Sequence, residues 1–126
     1  MNKQAHAAGA GIAMALAAYF EARDRQLPVE LATGNALASG GIASLCGSLP
    51  DMLEPAIHPN HRQFFHSVVF AAALIEGGRR VYRWQPDGEW QELLRNLALI
   101  AGGAYLVHLA MDATTAKSLP LLGKLP

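Results

Sequence analysis

The residues in this sequence that could do chemistry are five histidines and a few acids at telling spacings. His108 and Asp112 stand four apart within an apolar run, so on a helix their side chains share one face, a turn apart. Imidazole and carboxylate at that spacing can share a divalent ion, for which both are ordinary ligands. His61 and His66 are five apart and would diverge by roughly 140° on a regular helix. At an opening turn, however, His61 could swing over the helix end while His66 reaches from the helix wall. His6 stands near the start of the chain, and Leu49-Pro50-Asp51, followed by Glu54, puts carboxylates into a connecting segment. The metal set read from the sequence is therefore His6, Asp51, His61, His66, His108 and Asp112. Asp51 or Glu54 would serve as general base, and Arg62 would hold an anionic substrate group.

Histidines mixed with carboxylates suit a divalent transition metal, zinc first and Mn or Fe next, better than Ca or Mg, which prefer all-oxygen shells. Six ligands exceed one tetrahedral ion, which leaves two arrangements: a two-ion centre, or one ion whose histidines are oriented by the remaining carboxylates. Either can lower the pKa of a bound water toward ~7 and direct it at a phosphoester or related ester. Ser67 is expected to support a histidine by hydrogen bonding. Bland readings compete at each position. A single histidine is more often exposed or a satisfied core residue, and His108 could simply bond Asp112. His58, followed by Pro59 in a loop, reads as non-functional. Tyr82, Trp84 and Trp90 read as core or interface anchors. Cys46 stands alone, which excludes an intramolecular disulfide and a Cys-rich zinc site, and reads as a small buried residue.

These residues need elements to position them. No Asp, Glu, Lys or Arg occurs in 4–20, 31–50, 63–75 or 96–111, and the charge gathers in the segments between. The pattern predicts four apolar helices. The first covers His6–Phe20, reaching as far as Arg23, in an Ala-rich stretch of high helix propensity. The second covers Val29–Cys46 after Pro28, with Gly40–Gly41 either kinking it or allowing close approach of a neighbour. The third opens with Asn60 as N-cap before His61-Arg62-Gln63 and should stop near Gly77–Gly78. Pro86-Asp87-Gly88 makes a turn, and the fourth helix runs from Glu89 or Trp90 to about Ala113. The expected fold is all-α: one domain over 1–126, an up-down-up-down four-helix bundle with a metal site at one end. Alternating helix directions bring the histidines and acids to that end and send Arg23, Arg25, Arg79, Arg80 and Arg83 to the other.

Composition narrows the function classes. Apolar residues make up 52% of the chain and charged residues 16%. Ten basic residues balance ten acidic ones, which argues against a nucleic-acid surface. Lys3 precedes an apolar stretch, but His6 and early glycines interrupt it, and no cleavable signal peptide is expected. A membrane span needs roughly 20 apolar residues, and the charge-free stretches are marginal by that measure. Under the positive-inside rule the Arg-rich end would face the cytoplasm and the site would lie outside.

The order of these residues resembles the bacterial, inner-membrane-associated, YdjM-like family of metal-dependent hydrolases, also described as LexA-binding. The resemblance rests on His6, on Leu49-Pro50-Asp51 with Glu54, on His61-Arg62 to His66-Ser67, and on His108 with Asp112 and a following threonine. It covers nearly the whole chain, and the His-Arg to His-Ser segment after Leu-Pro-Asp is its most specific part. Gln63 stands where the family pattern has glycine, and the chain lacks the longer hydrophobic additions of larger members. More remotely, it is similar to the helical zinc phospholipase C group. The resemblance implies a metal-dependent hydrolase at the inner membrane, acting on a small-molecule or lipid-like ester. Two alternatives stay open. One is a non-enzymatic helical membrane or partner-binding protein with a structural metal cluster. The other is a cytoplasmic bundle, homo-oligomeric through its small-residue helix.

Overall fold

A computed structural model of the chain describes residues 3–53 and 66–114. Helix α1 spans Lys3–Asp24, α2 Val29–Cys46, α3 Leu49–Leu53, α4 Val68–Arg83 and α5 Glu89–Ala113, and no strand occurs among the described residues. The predicted second and fourth helices match α2 and α5 closely, because Pro28 and Pro86-Asp87-Gly88 are strong local terminators. At the end of α1, Gln26 takes a positive φ of 62°. Gln26 N–H donates to Arg23 O at 2.9 Å and Leu27 N–H to Ala22 O at 3.0 Å. This is a Schellman ending with glutamine in the left-handed place where glycine is usual.

The structure corrects three local expectations. The segment holding Asp51 is the short helix α3 rather than a loop. Proline is tolerated in a first helical turn, where its missing N–H would have no partner anyway, so Pro50 does not prevent it. Helix α4 begins at Val68, capped by Ser67, whose hydroxyl accepts from Phe70 N–H at 3.0 Å. The predicted cap Asn60 lies outside the described residues. The helix also runs through Gly77 and Gly78 to Arg83. Glycine costs a helix interior only about 1 kcal/mol, too little to end it before the Gln85-Pro86 step does.

Small residues set the packing. Ala10 of α1, Ala43 of α2 and Ala104 of α5 form the buried centre, flanked by Met14, Cys46, Ile100 and Val107. Gly40 and Gly11 face one another across α1 and α2, and a Cβ at Gly40 would lie 3.0 Å from Gly11 O and 3.0 Å from the Ala15 Cβ. Close approach, and not a kink, therefore explains Gly40. Gly40→Leu should lower the unfolding midpoint in detergent, by overpacking worth about 1–3 kcal/mol. Gly41→Leu should leave it nearly unchanged, since a Cβ there meets nothing within 4 Å. Thermal unfolding of the two variants side by side checks this.

Helix α5 touches each of the other four helices, and α4 packs on α5. The start of α1 meets the end of α5, where His6 reaches Asp112. Large apolar side chains point outward, among them Leu45 (81% exposed), Leu37 (73%) and Ile12 (63%). Tyr82, Trp84 and Trp90 are exposed too, which removes the core alternative for them and leaves that of interface anchors. Helices α1, α2 and α5 show no separate polar face, whereas α4 is amphipathic. Apolar faces on this scale around so small a core call for cover by lipid or by a partner surface. Helix α5 is long and apolar enough to cross a membrane.

Candidate metal centre

Four segments of the chain deliver the five chemical side chains. His6 lies in the second turn of α1, Asp51 in α3, His66 in the turn just before α4, and His108 and Asp112 in the last turns of α5. The structure brings these five together. His6, His66, His108 and Asp112 are buried, while the Asp51 side chain keeps 22% exposure. Glu54, His61 and Arg62, the other three sequence candidates, lie outside the described residues, as does His58.

The two carboxylates stand between the imidazoles. Asp51 Oδ1 lies 3.4 Å from His66 Nε2 and 3.5 Å from His108 Nε2. Asp112 Oδ2 lies 3.8 Å from His66 Nε2 and 3.3 Å from His108 Nε2. The second oxygen of each acid faces His6. Its Nε2 is hydrogen-bonded to Asp112 Oδ1 at 3.1 Å, and its Nδ1 lies 3.9 Å from Asp51 Oδ2. The His6 and His108 rings stack at 3.7 Å between centroids, and His66 meets His108 edge-on at 5.6 Å. His6, Asp51 and His108 form one group that could hold a metal ion, and His66, His108 and Asp112 form another.

Two observations say how the site is poised. His108 Nδ1 donates to Gly47 O at 2.6 Å. A carbonyl can only accept, so in the neutral ring Nδ1 carries the proton and Nε2 turns its lone pair toward the carboxylates. That Nε2 and His6 Nδ1 are buried with no hydrogen-bond partner among the described residues. Buried polar atoms are nearly always satisfied, so two such nitrogens facing two carboxylates fit a site able to hold a cation. At Asp51, burial opposes ionisation, but the imidazoles of His108 and His66 beside it outweigh that and hold its carboxyl well below the usual carboxylate range.

Gly47 is the functional residue that sequence reading passed over. It follows the last residue of α2, and a Cβ there would lie 3.0 Å from His6 O, 3.2 Å from the Ala7 Cα and 3.2 Å from the Ala10 Cβ. Its bareness lets α1 close on α2, and its carbonyl orients His108. A glycine after a helix is a readable stop signal, but nothing local says which imidazole its carbonyl will meet. Ser67 has a role that sequence reading did not assign, since its hydroxyl caps α4. Ser67→Ala should cost about 1 kcal/mol of stability, as lost N-caps do, while metal content stays at the wild-type level. Loss of metal in that variant would restore a histidine-supporting role.

No curated protein and no solved structure matches the chain. The family model described as YdjM inner membrane protein matches residues 1–123, almost the entire sequence. With its lipid-suited helix faces and its His/Asp cluster, this chain belongs to the YdjM family of inner membrane proteins.

Proposed function

We propose that this protein is a metal-dependent hydrolase of the inner membrane, acting on a phosphoester or related ester from a helical bundle that carries one metal centre at its end. The observation that carries the reading is that Asp51 and Asp112 each set a carboxylate oxygen 3.3 to 3.8 Å from Nε2 of both His66 and His108, within the two overlapping groups, His6-Asp51-His108 and His66-His108-Asp112, that could hold an ion. Ligands about 2.0–2.2 Å from a tetrahedral zinc stand about 3.3–3.6 Å from one another. Asp51, His66, His108 and Asp112 would hold the ion, with His6 orienting Asp112. A second ion would engage His6 and the outer carboxylate oxygens, and the metal-to-protein ratio separates the two cases. Zinc fits this donor set best, with Mn or Fe next.

A bound divalent ion would supply Lewis acidity and a water acidified toward ~7. The chain's own groups then divide the work. Gly47 O keeps the His108 ring in the tautomer that ligates. The Asp51 side chain combines contact with the imidazoles and exposure to solvent, so substrate and water would enter from its side. Asp51 or Glu54 would take the proton from the attacking water, and Arg62 would pair with an anionic substrate group.

The burial of the other ligands favours a second reading, a closed structural cluster in a non-enzymatic membrane protein. Elemental analysis of full-length protein in detergent, with phosphoester and carboxyester hydrolysis assays, separates the readings. Bound transition metal with turnover that chelation abolishes and zinc restores supports the hydrolase. Metal whose removal only unfolds the helices supports the structural cluster, and absence of transition metal overturns both. Metal should also leave on acidification, because ligating histidines must be unprotonated to bind it. Asp51, held low by the imidazoles beside it, stays ionised when the histidines take up protons, so acid release is set by the histidines. A release curve read by a zinc-sensitive dye checks this.

A further inference from the structure

We propose that the arginine-rich end of this protein binds an anionic phospholipid, with its phosphate in a cleft lined by Arg25, Arg83 and Arg95 and an acyl chain in the groove between α4 and α5. The cleft, of about 540 Å³, is also lined by Tyr82, Trp84 and Glu92. Its charges are poorly compensated. Arg25 pairs with Glu21 at 2.8 Å, and Glu92 is the acid in the lining, but Arg83 and Arg95 have no carboxylate partner among the described residues. Arg95 donates to Tyr82 O at 2.6 Å and to Asn96 Oδ1 at 3.4 Å, and its guanidinium lies 5.3 Å from the centre of the Tyr82 ring. Its Nε is buried with no hydrogen-bond partner among the described residues. Unpaired guanidinium groups are the preferred partners of phosphate.

A second space adjoins the cleft. A groove of about 550 Å³ between α4 and α5 shares Tyr82 and Arg83 with it, and is otherwise mainly apolar, with Leu74, Ile75, Leu99 and Leu106 in its walls. Arg79, also in its lining, lies 3.8 Å from Glu76. Gly78 and Gly102 face open space, where a Cβ would meet nothing within 4 Å. A cationic pocket flanked by exposed Tyr82 and Trp84, beside an apolar groove that shares Tyr82 and Arg83 with it, fits a headgroup and its chain. A free phosphate would use only the first half. The site is separate from the metal centre, since Arg95 and His108 are about 20 Å apart along α5 at 1.5 Å per residue.

The test is lipid retention by the full-length protein in detergent, measured by native mass spectrometry with phosphatidylglycerol and with phosphatidylcholine of matched chains. Inorganic phosphate serves as the headgroup-only competitor. Phosphatidylglycerol should be retained in preference, and Arg83→Gln should weaken it about fivefold, the worth of one interfacial cation. Gly102→Leu, which adds a side chain to the groove where a Cβ would meet nothing within 4 Å, should weaken the lipid while helicity and metal content stay at wild-type levels. Equal retention of the two lipids, wild-type binding by Gly102→Leu, or displacement of the lipid by phosphate at equal concentration would each overturn the proposal.

Discussion

Asp112→Ala protein should fold as helices, purify without its transition metal, and show hydrolysis no faster than a metal-stripped control. Asp112 reaches all three imidazoles, as Asp51 does, and is the more buried of the two acids. One oxygen holds His6 at 3.1 Å, and the other lies 3.3 Å from His108 and 3.8 Å from His66. Removing it subtracts a ligand and releases His6 together. Loss of a group that merely orients a ligand typically costs 10–100-fold in metal affinity, so losing a ligand and an orienting group should cost more than about 100-fold. Asp112→Asn is the informative companion. It keeps the shape and can still accept from His6, but its neutral amide is a poor zinc ligand, so affinity should fall nearly as far. Competition with a chelator of known affinity reads both variants. An alanine variant that retains wild-type affinity would remove Asp112 from the metal set.

Gly47→Ala should weaken metal binding by about 10–100-fold, the range seen when groups that orient metal ligands are disturbed. The substitution is conformationally mild, because Gly47 has an ordinary right-handed helical backbone at φ −64° and ψ −14°. Its cost is steric and falls on backbone. The new methyl would lie 3.0 Å from His6 O and 3.2 Å from the Ala7 Cα, and neither atom can rotate away. Helix α1 must then shift by a few tenths of an ångström, taking His6 with it, or Gly47 must withdraw its carbonyl from His108. Thermal stability should fall modestly while metal affinity falls far, and that contrast marks Gly47 as a positioning residue. A stability loss with unchanged metal affinity would reduce Gly47 to a packing role.

Both variants act at points where sequence reasoning succeeded unevenly. Asp112 was legible because an i, i+4 pair with His108 on one helix needs no tertiary knowledge, and the bounds of α5 follow from a turn sequence and an apolar run. Gly47 was not legible, since its role depends on a carbonyl in one helix ending meeting an imidazole 61 residues later. The start of α4 was misplaced for a related reason. Asn60 and Ser67 are both good caps by residue type, and only the structure shows Ser67 accepting from Phe70.

By itself the sequence determined an all-helical chain, the bounds of α2 and α5, and the donor types suited to a transition metal. Those properties reside in residue type and in spacings of a few positions, where propensity, capping and proline chemistry operate. Tertiary structure alone decided that His6 meets Asp112 across 106 residues, that His108 presents Nε2, and that Asp51 keeps the solvent-facing side of the cluster. These depend on how closely α1, α2 and α5 approach. That approach is set by Gly11, Gly40, Ala43 and Gly47, through side chains that are small or missing.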